Sequence, residues 1–119
     1  MSLTAYQSTL KATENPRDVE YRLFGQVTRA LLDAQPLPRT DPKVIAALDW
    51  NRRMWSTLAN DCASDANAMP EQMRAGIISI SMFVARYSSQ VMAAAAMPVD
   101  PLIDINRTIM QGLAQRAAA

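Results

Sequence analysis

The chain has 119 residues, of which half are apolar and 19% are charged, and its formal net charge at pH 7 is +1. This composition is typical of one soluble globular domain, which at this length buries roughly two thirds of its unfolded surface and needs no metal or disulfide to fold. The balanced charge argues against a partner that demands a strongly basic surface, such as nucleic acid or an anionic membrane.

Cysteine content and hydropathy predict a cytoplasmic protein. The single cysteine, Cys62, has no partner for an internal disulfide, which fits a reducing compartment. The first residues lack the basic region and apolar core of a secretory signal. No apolar run approaches the roughly 18 residues needed to cross a bilayer. We therefore expect no interaction with membranes.

Residues that favour helix predominate, and prolines stand where helices would begin. A short helix is predicted over 3–12. A second helix has Asn15 as its N-cap and Pro16 as its first residue, and it runs to about Ala34. The buried face of the second helix is predicted to consist of Val19, Leu23, Val27, Ala30, Leu31 and Ala34.

Three further helices follow after short connections that contain proline. Asp41 is the predicted N-cap of a third helix over about 42–63. The apolar period of 3.6 residues continues in a fourth helix over about 70–94 and in a last helix over about 101–116.

These elements predict one all-α domain over residues 1–119, a small helical bundle of four to five helices joined by short loops that contain proline. The alanine-rich end, 113–119, is expected to fray. The stretch ISISMFV, 78–84, alternates briefly as a strand would, but the helical period around it is longer.

The sequence offers no set of residues suited to catalysis. It contains no histidine, which removes the usual general base and the commonest metal ligand. Cys62 lies on an apolar helix face without an obvious base, so a buried structural thiol is expected. Carboxylate pairs such as Asp61 with Asp65 are expected at exposed helix ends rather than in an acid–base site. We therefore expect no enzymatic activity, no cofactor and no metal.

Two asparagines interrupt apolar helix faces. Asn51 lies between Leu48 and Trp55 on the third helix, and Asn106 shares a face with Leu102 on the last one. Because an unpaired buried amide costs about 1–3 kcal/mol, we expect both to be buried and hydrogen-bonded, to each other or to backbone carbonyls. Such contacts would fix the register between helices. Alternatively, one of the two amides lines a partner-binding groove.

A second set of apolar residues lies away from the predicted buried faces. Trp50 and Met54 flank the buried face of the third helix, and Ile78 and Met82 lie opposite that of the fourth. Methionine and tryptophan suit grooves that accept helical segments. These four residues are the candidate partner-binding surface, with the alternative that the fourth helix is simply the middle of the bundle.

Four segments resemble the FlaF family of flagellar-biosynthesis regulators of alphaproteobacteria. They are ENPRDVEYRLFGQVTRAL (14–31), ALDWNRRMWSTLANDCA (47–63), MPEQMRAGIISISMFV (69–84) and LIDINRTIMQGL (102–113). The most specific motifs are Asn15-Pro16-Arg17, Asn51 with Trp55, Pro70 with Arg74-Ala75, Ile77 to Ile80, Leu102 to Asn106, and Gly112-Leu113. Met54 and Met69 replace the more usual leucine, which is a conservative apolar exchange.

The resemblance implies a cytoplasmic, non-enzymatic protein needed for the production and export of flagellin. Its role would be similar to that of a flagellin-specific secretion chaperone, acting alongside the translational regulator FlbT. Flagellin would be held through an amphipathic terminal helix, by recognition of a helix in a groove. The alternative is post-transcriptional regulation, either directly on flagellin messenger RNA or as an adaptor for FlbT.

Overall fold

A computed structural model describes the backbone of residues 16–118 and the side chains of residues 19–112. This part of the chain contains helices and no strand, which confirms the all-α fold. In chain order the helices are α1 (Pro16–Ala34), α2 (Pro42–Ala63), α3 (Glu71–Ala93) and α4 (Asp100–Ala118). The predicted helix over 3–12 and the predicted N-cap Asn15 lie outside the described residues.

The helix boundaries follow local backbone chemistry. The α1 and α2 helices have the predicted bounds, whereas α3 begins one residue later than predicted and α4 one residue earlier. At the start of α2, Asp41 has an extended backbone and its carboxylate accepts a hydrogen bond of 2.9 Å from the backbone N–H of Lys43. Pro42 then occupies the first helical position, where a missing N–H costs nothing.

The second described helix, α2, lies between two others. It packs against both α1 and α3, and α1 also packs against α4. The interpretation that α3 is the middle of the bundle is therefore wrong, and α3 leaves its outer face open, with Met82 68% exposed. An edge-to-face contact between Phe24 of α1 and Trp55 of α2, with ring centroids 5.5 Å apart, lies at the α1–α2 junction.

The contact with Trp55 also sets which face of α1 is buried. Phe24 is 2% exposed, while Val19 and Leu23, predicted to be buried, are 43% and 36% exposed. The prediction was wrong for these two residues because the first turns of α1 face α2 with Phe24 rather than with Leu23. Further along α1 the predicted face is correct, since Val27 and Leu31 are fully buried.

The connection between α3 and α4 is fixed by polar contacts from three places. The Tyr87 hydroxyl of α3 donates to the Pro98 carbonyl at 2.6 Å, and the Arg39 guanidinium donates to the Met97 carbonyl at 2.6 Å. The Gln35 amide, just past α1, donates to the Asp100 carboxylate at 2.6 Å. These contacts determine where α4 begins and therefore how it enters the core.

None of the helices within residues 16–118 combines the length and the apolar character that a bilayer-spanning helix requires.

Replacing the capping residue tests the start of α2. We expect Asp41→Ala to lower the free energy of unfolding by about 1 kcal/mol, because the Lys43 N–H loses its acceptor. Urea unfolding followed by circular dichroism measures this change. Asp65→Ala, which removes an exposed carboxylate from the connection between α2 and α3, is the control. Equal effects of the two substitutions would contradict the capping role.

Candidate functional site

The two asparagines that interrupt the apolar faces meet in the middle of the core. The Asn106 Nδ2 donates to the Asn51 Oδ1 at 2.8 Å, and the Trp55 indole N–H donates to the Asn106 Oδ1 at 2.9 Å. Both amides are 0% exposed and Trp55 is 1% exposed. The three side chains form a buried amide chain, our name for this hydrogen-bonded row, which joins α2 to α4.

The direction of hydrogen bonding in the amide chain is determined by the indole. A tryptophan N–H can only donate, so Asn106 must turn its oxygen toward Trp55 and its NH₂ group toward Asn51. Asn51 must then present its oxygen, which leaves its own Nδ2 buried without an acceptor among the described residues. The amide chain is therefore fully paired at its Trp55 end and incomplete at its Asn51 end.

Neither asparagine contributes to a surface. The two grooves described below are lined by other residues, and both amides are fully buried between helices. The alternative that one of them lines a partner-binding groove is therefore not supported by their position. The buried pairing agrees with a role in fixing the register of α4 against α2.

One groove lies between α1 and α2, and we call it the α1–α2 groove. Its volume is about 300 Å³, and its lining residues are Glu20, Leu23, Phe24, Trp50, Arg53, Met54, Thr57, Leu58 and Asp61. Trp50 is 40% exposed at its edge, whereas Met54 is only 5% exposed. Met54 was predicted to belong to an open surface, but α1 covers this flank of α2, so Met54 contributes to the floor of the groove.

The other two candidate residues lie elsewhere. Ile78 is half-buried and Met82 is exposed, and both belong to α3, which packs on α2. Neither lines the α1–α2 groove. The structure therefore divides the four candidates between two surfaces.

A second groove lies between α2 and α3, and we call it the α2–α3 groove. Its volume is about 450 Å³, and its lining residues are Pro42, Ile45, Ala46, Leu48, Asp49, Arg52, Ser88, Ser89 and Met92. Ile45 is 44% exposed and Met92 is 51% exposed. The groove therefore has apolar side chains from both helices at its edges.

Three residues that line the α2–α3 groove were not predicted from the sequence to belong to a site: Ile45, Ser88 and Met92. A usable signal was present for the two apolar ones, since each directly follows a fully buried valine, Val44 or Val91. Successive residues on a helix lie about 100° apart, so an apolar residue next to a core residue lies at the flank of the buried face, where it is exposed unless another helix covers it. Nothing in the pattern identifies Ser88, whose burial depends on how α3 packs.

Charges at the edge of the α2–α3 groove form a small cluster. The Asp49 carboxylate is 2.8 Å from the guanidinium groups of both Arg52 and Arg53. The hydrogen bond from Arg52 is the main cause that lowers the pKa of Asp49; burial opposes it, and the charges of Arg53 and Arg52 lower the pKa further. Of these three charged residues, Asp49 and Arg52 line the α2–α3 groove, whereas Arg53 lines the α1–α2 groove.

Cys62 lies at the far end of α2 and is 1% exposed. Burial raises the pKa of its thiol, and the charge of Arg74 opposes this shift only in part. The Arg74 guanidinium also donates to the Cys62 carbonyl at 2.8 Å. Within residues 16–118 no group of three or more histidine, cysteine, aspartate or glutamate side chains is arranged to hold a metal.

The sequence model of one protein family, described as flagellar protein FlaF, matches residues 2–113 and so covers nearly the whole chain. The chain belongs to the FlaF family. Membership associates this FlaF-family chain with the bacterial flagellum. No curated protein and no solved structure matches it significantly. Two of the FlaF motifs meet in the core, because Asn51 with Trp55 and the segment that ends at Asn106 supply the buried amide chain.

The unequal pairing within the amide chain predicts unequal effects of two matched substitutions. Asn106→Leu leaves the Trp55 N–H and the Asn51 amide without partners, so we expect a loss of about 2–4 kcal/mol in the free energy of unfolding. Asn51→Leu leaves one Asn106 N–H without a partner but removes an unpaired NH₂ group, so we expect a loss of about 1 kcal/mol. Urea unfolding of both variants measures the difference.

The double variant Asn51→Leu/Asn106→Leu completes the cycle. Its loss should be smaller than the sum of the two single losses, because the second substitution removes a group that the first has already left unpaired. Additive losses, or a larger loss for Asn51→Leu, would contradict the hydrogen-bond direction assigned here.

Burial of Cys62 predicts low reactivity in the folded FlaF-family chain. At pH 8 iodoacetamide should modify the folded protein at least about tenfold more slowly than the urea-unfolded protein. Since folding raises the pKa of the thiol, its contribution to stability is fully present below the pKa of the unfolded thiol. That contribution is lost as the pH rises through the folded pKa. Cys62 is the sole cysteine of the sequence, so mass spectrometry measures its modification by iodoacetamide directly. Equal rates of modification in the folded and the unfolded protein would contradict the burial of Cys62.

Proposed function

We propose that this FlaF-family chain binds flagellin in the cytoplasm and supports its synthesis and export, as a flagellin-specific secretion chaperone and regulator. The observation that carries the proposal is the family match over residues 2–113. FlbT is a further proposed partner, because the resemblance associates the two proteins. The structure contributes two grooves that such a partner could occupy.

The exposed apolar surface supports a partner that is itself helical. Two grooves run between packed helix pairs, and their apolar edges include Trp50 on one groove and Ile45 and Met92 on the other. A groove between two helices accepts the apolar face of an amphipathic helix. An amphipathic end of flagellin that has not yet assembled would have such a face to bury, so shielding it before export is a function suited to these surfaces.

Three of the four candidate contact residues are accessible to a partner, and the fourth, Met54, is buried. Trp50 and Met82 are exposed and Ile78 is half-buried, so each can touch a partner directly. Met54 is buried and would act by shaping the floor of the α1–α2 groove.

Titration of purified flagellin into the labelled protein tests the proposal. We expect saturable binding to at least one flagellin paralogue of the same cell, measured by fluorescence anisotropy or calorimetry. Binding should be lost when the terminal helical segments of flagellin are deleted, because these supply the apolar helix face. The absence of binding to every paralogue would contradict the proposal.

An RNA-binding assay under the same conditions distinguishes the regulatory alternative. With a net charge of +1, the chain should show no specific, salt-sensitive binding to a flagellin leader RNA, since such binding depends on clustered basic residues. Specific RNA binding without flagellin binding would favour direct action on the messenger. Binding of FlbT alone, measured by light scattering, would favour an adaptor.

A further inference from the structure

The α1–α2 groove has exposed apolar side chains close to the start of α1. Leu23 and Trp50 line the groove from its two helices, and they are 36% and 40% exposed. Val19 lies four residues before Leu23, so it is on the same face of α1, and it is 43% exposed. Val19 is also less than one turn from Pro16, where α1 begins. The chain that precedes α1 therefore enters the helix next to this apolar surface.

The sequence before α1 contains a segment with the pattern that such a surface binds. A helix is predicted over 3–12, which lies outside the described residues, and Leu3, Tyr6 and Leu10 share one face of it because they are three and four residues apart. Residues 13–15 are left as the connection to α1. A connection of about two to five residues joins neighbouring antiparallel helices, so a helix over 3–12 would lie beside the first turns of α1.

The length of the groove matches that of the segment. One flank of α1 is already covered by α4, where the Thr28 hydroxyl lies 3.9 Å from the Met110 sulfur. The other flank borders the α1–α2 groove, whose α2 side extends from Trp50 to Asp61. At 1.5 Å per residue this side is about 16 Å long, and a helix over 3–12 is about 15 Å long.

The direction of the chain determines which end of the segment meets which end of the groove. The α1 and α2 helices are joined by a short connection and Phe24 contacts Trp55, so they run antiparallel. Early positions of α1, such as Glu20, therefore lie beside late positions of α2, such as Asp61, and both residues line the groove. Since the segment is joined to the start of α1, its Lys11 end arrives at this acidic end of the groove.

The charges at that end suit the segment. Lys11 is the only charged residue within 3–12. Asp61 is exposed, and its carboxylate forms no ion pair with another described residue. Arg53, which also lines the groove, is already 2.8 Å from the Asp49 carboxylate. A lysine at the acidic end therefore meets a carboxylate that has no cationic partner in the described part of the chain.

From the exposed apolar side chains, the matching length and the charge we infer that residues 3–12 of this chain bind in the α1–α2 groove. The apolar face of the segment packs against Leu23 and Trp50, and Lys11 lies near Asp61. The inference goes beyond the proposed function and does not depend on it. Its consequence for binding is that a partner helix can use this groove only by displacing the segment.

A disulfide between the segment and the groove tests the inference in the full-length chain. Lys11→Cys and Asp61→Cys are combined with Cys62→Ala, which removes the native thiol. We expect a disulfide within one chain, measured by mass spectrometry of the oxidised protein. The control combines Lys11→Cys and Cys62→Ala with Ser89→Cys, at an exposed residue of the α2–α3 groove. Its disulfide should form at least about tenfold more slowly, because distant cysteines cannot be bridged without movement of the backbone.

Two further substitutions test the apolar contact without added cysteines. Tyr6→Asp should increase the quenching of Trp50 fluorescence by acrylamide and lower the urea midpoint, because a charge on the apolar face opposes its burial. Trp55 is 1% exposed, so the quenching reports on Trp50. Ser8→Asp places the same charge on the opposite face of the segment and should change neither quantity. Unchanged circular dichroism verifies that the variants fold.

The outcomes distinguish this occupant from others. Equal rates of disulfide formation in the two cysteine pairs, or equal quenching in Tyr6→Asp and Ser8→Asp, would overturn the inference. A disulfide that joins two chains would assign the groove to the segment of a second copy, and it would overturn binding within one chain. Flagellin is absent from these measurements, so their failure would leave the proposed function standing.

Discussion

The fold depends on a hydrogen bond that has only one possible direction. Because an indole N–H can only donate, Trp55 fixes how Asn106 is turned, and Asn106 in turn fixes Asn51. Apolar side chains alone would allow α4 to slide along the core at small cost, whereas a displaced α4 would leave three buried polar groups unpaired. The unpaired Nδ2 of Asn51 lowers the stability of the fold, but the amide chain specifies one alignment of the helices.

The position of α2 between α1 and α3 explains the two surfaces. One flank of α2 faces α1 and the other faces α3, so each flank borders a groove. Trp50 and Ile45 are exposed on these different flanks. Met82, on the outer face of α3, is 68% exposed, so within the described residues the core is formed while an apolar surface stays open.

The caps and bounds of the helices were predictable from the sequence. Which face of each helix is buried was harder to predict. The cap at Asp41 and the bounds of α2 follow from residues close in sequence. The burial of Asn51 and Asn106 follows from their place in the helical period. The exposure of Leu23 does not, because it depends on Phe24 meeting Trp55 from another helix. The burial of Met54 and Ser88 likewise depends on which neighbour covers each flank, and a single helical period contains no information about that neighbour.

The amide chain also joins residues that are synthesised at different times. Its two hydrogen bonds join residues 51 and 55 positions apart in the sequence, and α4 is the last described helix to be synthesised. While only α1 to α3 have left the ribosome, the Trp55 N–H has no acceptor and the centre of α2 cannot close without burying unpaired polar groups. Only a chain that extends through α4 can therefore complete the hydrogen bonds of this core.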